Sequence, residues 1–120
     1  MSAEPVVDRV ALVKLQGIGG DKLVRQIVRL YRENARERLR QIEEGLGPGG
    51  EVSGAGAGAH SLKSSAGNVG AMRVSALAAD LEEAVARGSH ELLPDLHASL
   101  REAAEEADRR LEELMEGWGE

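Results

Sequence analysis

The chain has 120 residues, 42% of them hydrophobic and only 2% aromatic, with a formal net charge of −6 and no cysteine. That length predicts one domain over residues 1–120, with a core from about 5 to 115 built from Leu, Val, Ile and Ala rather than rings. Disulfides, thiolate nucleophiles and Cys-ligated metals are excluded, the apolar runs fall well short of the roughly 20 residues that cross a bilayer, and no basic-then-apolar leader opens the chain, so a cytoplasmic location is expected.

Five helical segments follow in chain order. The first runs from about Pro5 to Leu15, with Val6, Val10 and Val13 on one side, Leu12 beside them, and Gly17, Gly19 and Gly20 ending it. Asp21 is a good N-cap type and opens a long helix to about Leu46. Val24, Ile27, Val28, Tyr31, Ala35, Leu39, Ile42 and Leu46 recur there at steps of three and four, which makes one buried stripe. Gly45, Gly47, Pro48, Gly49 and Gly50 break the chain.

A third segment spans about Glu51 to Val69. It starts with alternating Gly and Ala, and each Gly costs a helix roughly 1 kcal/mol relative to Ala. Leu62, Ala66 and Val69 fall on one side of it, and His60, Lys63, Ser64 and Gly67 on another. The fourth segment, about Ala71 to Arg87, turns Val74, Leu77, Ala78, Leu81 and Val85 inward, with Gly88 as C-cap. Ser89 can cap a last helix from about His90 to Met115, where Leu93, Leu96, Leu100, Ala103, Ala107, Leu111 and Leu114 keep the spacing and Trp118 follows. The pattern predicts an all-α fold: an antiparallel four-helix bundle with a short additional N-terminal helix.

Six arginines lie between residues 25 and 40, but Glu33 and Glu37 are interleaved with them. This reads as a solvated helix face with i,i+4 pairs rather than a phosphate-tracking surface. GAGAGA at 54–59 loosely matches a dinucleotide-binding glycine loop, yet no strand precedes it and no βαβ unit surrounds it. No i,i+4 His pair anchors a metal site, and no Gly-x-Ser-x-Gly elbow supports a Ser-His hydrolase.

The three histidines differ in setting. His90 and His97 stand among Glu91, Asp95 and Glu102 and read as surface imidazoles. His60 is ringed by Ala57, Gly58, Ala59, Ser61, Ser64 and Gly67, all small, and shares a face with Lys63 rather than with the apolar stripe. A second protein's backbone can reach such a ring.

AHSLKSSAGNVGAMR, residues 59–73, resembles the signature of histidine phosphotransfer domains: His-x-Leu-Lys, small residues, then Gly-Ala. His60, Leu62, Lys63, Ser65, Gly70 and Ala71 fit in frame, and Ser64 stands where Gly is commonest. GGDKLVRQIVRLYRENARERLRQIEEGL looks like the family's preceding long helix and LAADLEEAVARG like the following one, so the likeness covers about residues 5–115.

The resemblance implies a phosphorelay protein. Imidazole is the side chain that offers a neutral, nucleophilic nitrogen near pH 7. His60 Nε2 would attack the phosphorus of a receiver-domain phosphoaspartate and pass the group to another receiver. Lys63 would steady phosphoryl oxygens, while Ser61, Ser64 and Gly67 keep the docking surface low. Similar domains use a Gln or Glu on the next helix to hold the other ring nitrogen; the matching residue, 22 positions after the His, is Glu82. The implied partners are response-regulator receiver domains, a hybrid sensor histidine kinase, or both. The receiver supplies Mg²⁺, and this chain binds no cofactor or metal and has no turnover of its own. Neither nucleic acid nor a membrane is expected as a partner, and a monomer is. Two alternatives stay open: direct phosphorylation by a kinase core, and a helical adaptor that has lost the relay.

Overall fold

The computed structural model describes residues 6–118. Among them are four α-helices and no strand: α1, Arg9–Leu46; α2, Val52–Asn68; α3, Met72–Arg87; and α4, Leu93–Gly117, preceded by a 3₁₀ turn at His90–Leu92. Each helix packs on two neighbours, α1 on α2 and α4 and α3 on α2 and α4. Successive helices are antiparallel. On α1 and α2, Gly45 lies against Ala55, while Arg38 and Ile42 lie against Gly58. On α1 and α4, Arg32 meets Asp108 and Arg25 meets Met115.

The predicted stripes are the buried ones. Val24, Val28, Tyr31, Ala35 and Ile42 from α1, Leu62 and Ala66 from α2, Val74, Ala78 and Leu81 from α3, and Leu100, Ala103, Ala107 and Leu111 from α4 form one core. No charged or polar residue is buried in it among the described residues. Alanines at so many interior positions bring the helix axes close, and bulk comes from leucine rather than rings.

The connections follow the glycines. After α2 and α3 the chain closes a Schellman motif. Gly70 (φ 77°) and Gly88 (φ 71°) are left-handed. Ala71 N–H donates to Ala66 O at 2.9 Å, and Ser89 N–H donates to Ala84 O at 2.9 Å. Gly70 is required twice over, because a Cβ there would lie 2.2 Å from Asp8 O.

The N-terminal region departs from the sequence expectation. The Pro5 start of the first predicted helix lies outside the described residues. The helix begins at Arg9, with the Asp8 side chain accepting from Val10 N–H. It does not end after Leu15. It runs through Gly17 and Gly19, and only Gly20 (φ 74°, ψ −172°) is non-helical, so the short segment is an arm of α1 joined through a kink. Gly20 occupies the position in front of residues 21–46, so Asp21 is not the cap; its carboxylate accepts from the Gln16 amide at 2.6 Å.

The arm's inward residue is Leu12, while Val10 and Val13 are more than half exposed. Four closely spaced apolar residues allow more than one face, and docking chooses: Asp8 N–H donates to Gly70 O at 2.7 Å, which turns Leu12 to the core. Across the molecule, the Arg9 guanidinium lies 5.7 Å from the Trp118 ring centroid. Arg25 donates to Met115 O at 2.9 Å and Trp118 O at 2.5 Å, a cation placed on the carbonyl end of α4.

The last segment starts one turn later than expected. His90–Leu92 is 3₁₀, Ser89 makes no side-chain cap, and Pro94 sits in the first turn of α4. Proline suits that turn because its missing N–H would have no helical partner there.

Candidate phosphotransfer site

α2 carries a single charged residue, Lys63. Its Gly-Ala run is helical from Val52 onwards despite the propensity cost, because neighbours demand small residues there. A Cβ at Gly58 would lie 3.1 Å from Ile42 Cγ1 and 3.2 Å from Arg38 O, and one at Gly56 would lie 3.0 Å from Val85 Cγ1. Tertiary packing therefore overrides local preference. The helix is threaded between α1 and α3, with Ala55, Ala59, Leu62 and Ala66 inward.

This placement sets His60 on the outer side. Its side chain is 64% exposed. Nδ1 lies 2.6 Å from Glu82 Oε2, and the other carboxylate oxygen, Oε1, accepts from Lys63 Nζ at 2.7 Å. One carboxylate from α3 thus joins two residues of α2 a helical turn apart. A carboxylate accepts and does not donate, so the imidazole nitrogen facing it carries a proton, and in the neutral ring the lone pair stands on Nε2.

The Lys63 ammonium beside it, reinforced by the His60 ring, holds the Glu82 carboxyl below its ordinary value against the opposing effect of partial burial. A depressed folded value means that this contribution is complete above the ordinary carboxylate range. It disappears as pH falls through the lower folded value. Glu82→Gln should therefore make the melting temperature fall less steeply on acidification, over roughly pH 5 to 3. Parallel curves for the variant and the parent would remove Glu82 from the acid response.

The structure brings the side chains of His60, Lys63 and Glu82 together. Ser61 and Ser64 are exposed on the same helix. Gly67 is half-buried, and a Cβ on it would face Ser75 Oγ at 3.8 Å, so it lies at the α2–α3 seam. Ser75 escaped the sequence reading altogether. It donates to Lys63 O at 2.9 Å, and nothing in its local sequence distinguishes it from a solvated helix serine. His90 is exposed and His97 half-buried, and with Glu43 and Pro94 they line a cavity between the α1–α2 connection and the start of α4. No group of three or more His, Asp or Glu among the described residues could hold a metal ion, and no described helix is long and apolar enough to cross a membrane.

The arginines of α1 are largely engaged. Arg40 bonds Glu37 and Glu44, and Arg32 bonds Asp108 with Glu112 nearby. The Arg32 guanidinium holds the Asp108 carboxyl below its usual range.

The fold is shared with a solved structure, histidine-containing phosphotransfer protein B (HptB) from Pseudomonas aeruginosa PAO1. The TM-score is 0.87 at 24% identity, over 98% of this chain and 99% of that one. No curated protein matches the chain. The family model described as Hpt domain matches residues 26–116, a span that contains His60, Lys63 and Glu82. The chain therefore belongs to the Hpt domain family.

Proposed function

We propose that this protein is a phosphocarrier of a multistep two-component relay, taking a phosphoryl group onto His60 Nε2 from one receiver-domain aspartate and giving it to another. The observation that supports this most is the 2.6 Å contact between His60 Nδ1 and Glu82 on an otherwise exposed ring. It leaves one nitrogen unprotonated and turned to solvent.

In the forward step the Nε2 lone pair attacks phosphorus. The P–N bond forms as the acyl P–O bond breaks, and the aspartate carboxylate leaves with the electron pair. The Nδ1 proton stays in place, held by Glu82, which offsets the charge gained by the ring. The return step reverses these changes on a second receiver. Little covalent work falls to the carrier, so the rate depends on positioning and charge stabilisation. Lys63 lies one turn from His60 and can turn its ammonium toward phosphoryl oxygens. Mg²⁺ and the acidic pocket belong to the receiver. The chain acts in the cytoplasm as a monomer, without turnover of its own.

The deciding experiment mixes the protein with a phosphorylated receiver domain and Mg²⁺ and maps the product. Acid-labile, base-stable phosphate on His60 Nε2 is expected. Phosphate at any other residue would overturn the assignment, and labelling only by an ATP-bound kinase core would replace the relay with direct phosphorylation.

A further inference from the structure

A serine inside a helix ordinarily turns its hydroxyl to solvent or to the carbonyl four residues back. For Ser75 that carbonyl is Ala71 O, which takes the Ser75 backbone N–H at 3.0 Å. The hydroxyl instead crosses the seam and donates to the backbone carbonyl of Lys63 at 2.9 Å. Lys63 is therefore gripped by α3 at both ends, its carbonyl by Ser75 and its ammonium by Glu82 at 2.7 Å. Ser75 and Glu82 are seven residues apart, two helical turns along one face. His60 lies three residues from Lys63 on α2, the i,i+3 relation that places side chains side by side.

A serine hydroxyl is short and reaches a neighbouring helix only where the two approach closely. The approach occurs beside Gly67, where a Cβ would come into ordinary contact with Ser75 Oγ at 3.8 Å. The bond thus fixes the rotation and axial position of α2 against α3 between the Val69–Ala71 turn and Glu82. The tolerance is small. One residue of slip moves a side chain by about 1.5 Å, and a hydrogen bond is lost beyond roughly 3.5 Å. The two Glu82 contacts at 2.6 and 2.7 Å survive less than that.

We propose that Ser75 is a positioning residue: by clasping the Lys63 carbonyl it sets the helix register that lets Glu82 hold the Nδ1 proton of His60. The proposal rests on the phosphotransfer reading above, and the test separates the two. Ser75→Thr and Ser75→Val have nearly the same shape and differ in the hydroxyl. With ¹⁵N-labelled histidine, NMR reads the Nδ1–H fraction of His60 in each full-length variant. Single-turnover transfer from a phosphorylated receiver with Mg²⁺ reads the rate. Ser75→Val is expected to lower the Nδ1–H fraction and slow transfer by about threefold to tenfold, the equivalent of one lost hydrogen bond, while Ser75→Thr keeps both at the parental level. A Val variant with the parental Nδ1–H fraction would overturn the positioning role. A changed fraction with an unchanged rate would leave the positioning role standing and remove the tautomer from the transfer mechanism.

Discussion

His60→Gln is expected to reduce labelling by a phosphorylated receiver to background while the circular dichroism spectrum and melting temperature stay near those of the parent. Two features set the size of the effect. The ring is 64% exposed, so deleting it removes little packing. Its polar contact is with Glu82, which keeps its bond to Lys63. Surface changes of this type usually move stability by about 0.5 kcal/mol or less. Chemically, glutamine has the length but no nucleophilic nitrogen. A labelled His60→Gln protein would place the acceptor elsewhere.

A large loss of stability is expected from Gly45→Ala. A methyl group there would lie 2.6 Å from Ala55 N and 2.9 Å from Glu51 O, backbone atoms of the first turn of α2 and the residue before it. Neither can move without shifting the helix, so α1 and α2 must part. Overpacking of this kind costs about 1–3 kcal/mol, or roughly 5–15 °C for a chain of this size. The same substitution at Gly54 should do the opposite. Nothing lies within 4 Å of a Cβ at that position, the residue is helical, and replacing Gly by Ala in an open helix gains up to about 1 kcal/mol. Thermal melts of the two variants should move in opposite directions. A shift of the same sign in both would mean that helix propensity, and not the closeness of α1 to α2, governs this end of the bundle.

The bundle was legible because its stripes are long. Eight apolar positions in 21–46 admit one helical face, and five of the eight are buried in the way their spacing demands, with Ile27, Leu39 and Leu46 packed at the core's edge. The arm was less legible because four apolar residues in one short stretch admit two faces. The choice of Leu12 over Val10 and Val13 depends on Gly70, sixty residues away. The N-cap is Asp8, whereas the sequence alone starts the first helix at about Pro5 and places a cap at Asp21. His60 and Lys63 were legible as neighbours on one helix face, whereas Glu82 entered only through the resemblance to histidine phosphotransfer domains. Ser75 was not visible, since its role depends on which carbonyl lies opposite, and helix contact geometry is not written in local sequence. The Gly-Ala run showed only its intrinsic penalty; the reason for it, Arg38, Ile42 and Val85 closing in from two sides, is a long-range fact.

A peptide cut from residues 52–68, with four glycines and one charge, would remain coil in water, since its composition cannot sustain a helix by itself. Its secondary structure is lent by the flanking helices. The imidazole therefore gains its orienting carboxylate only once α1 and α3 have closed around it, and a nascent or damaged chain would present the same histidine as an ordinary, unaligned ring. Signalling competence is in this way made conditional on the integrity of the whole bundle.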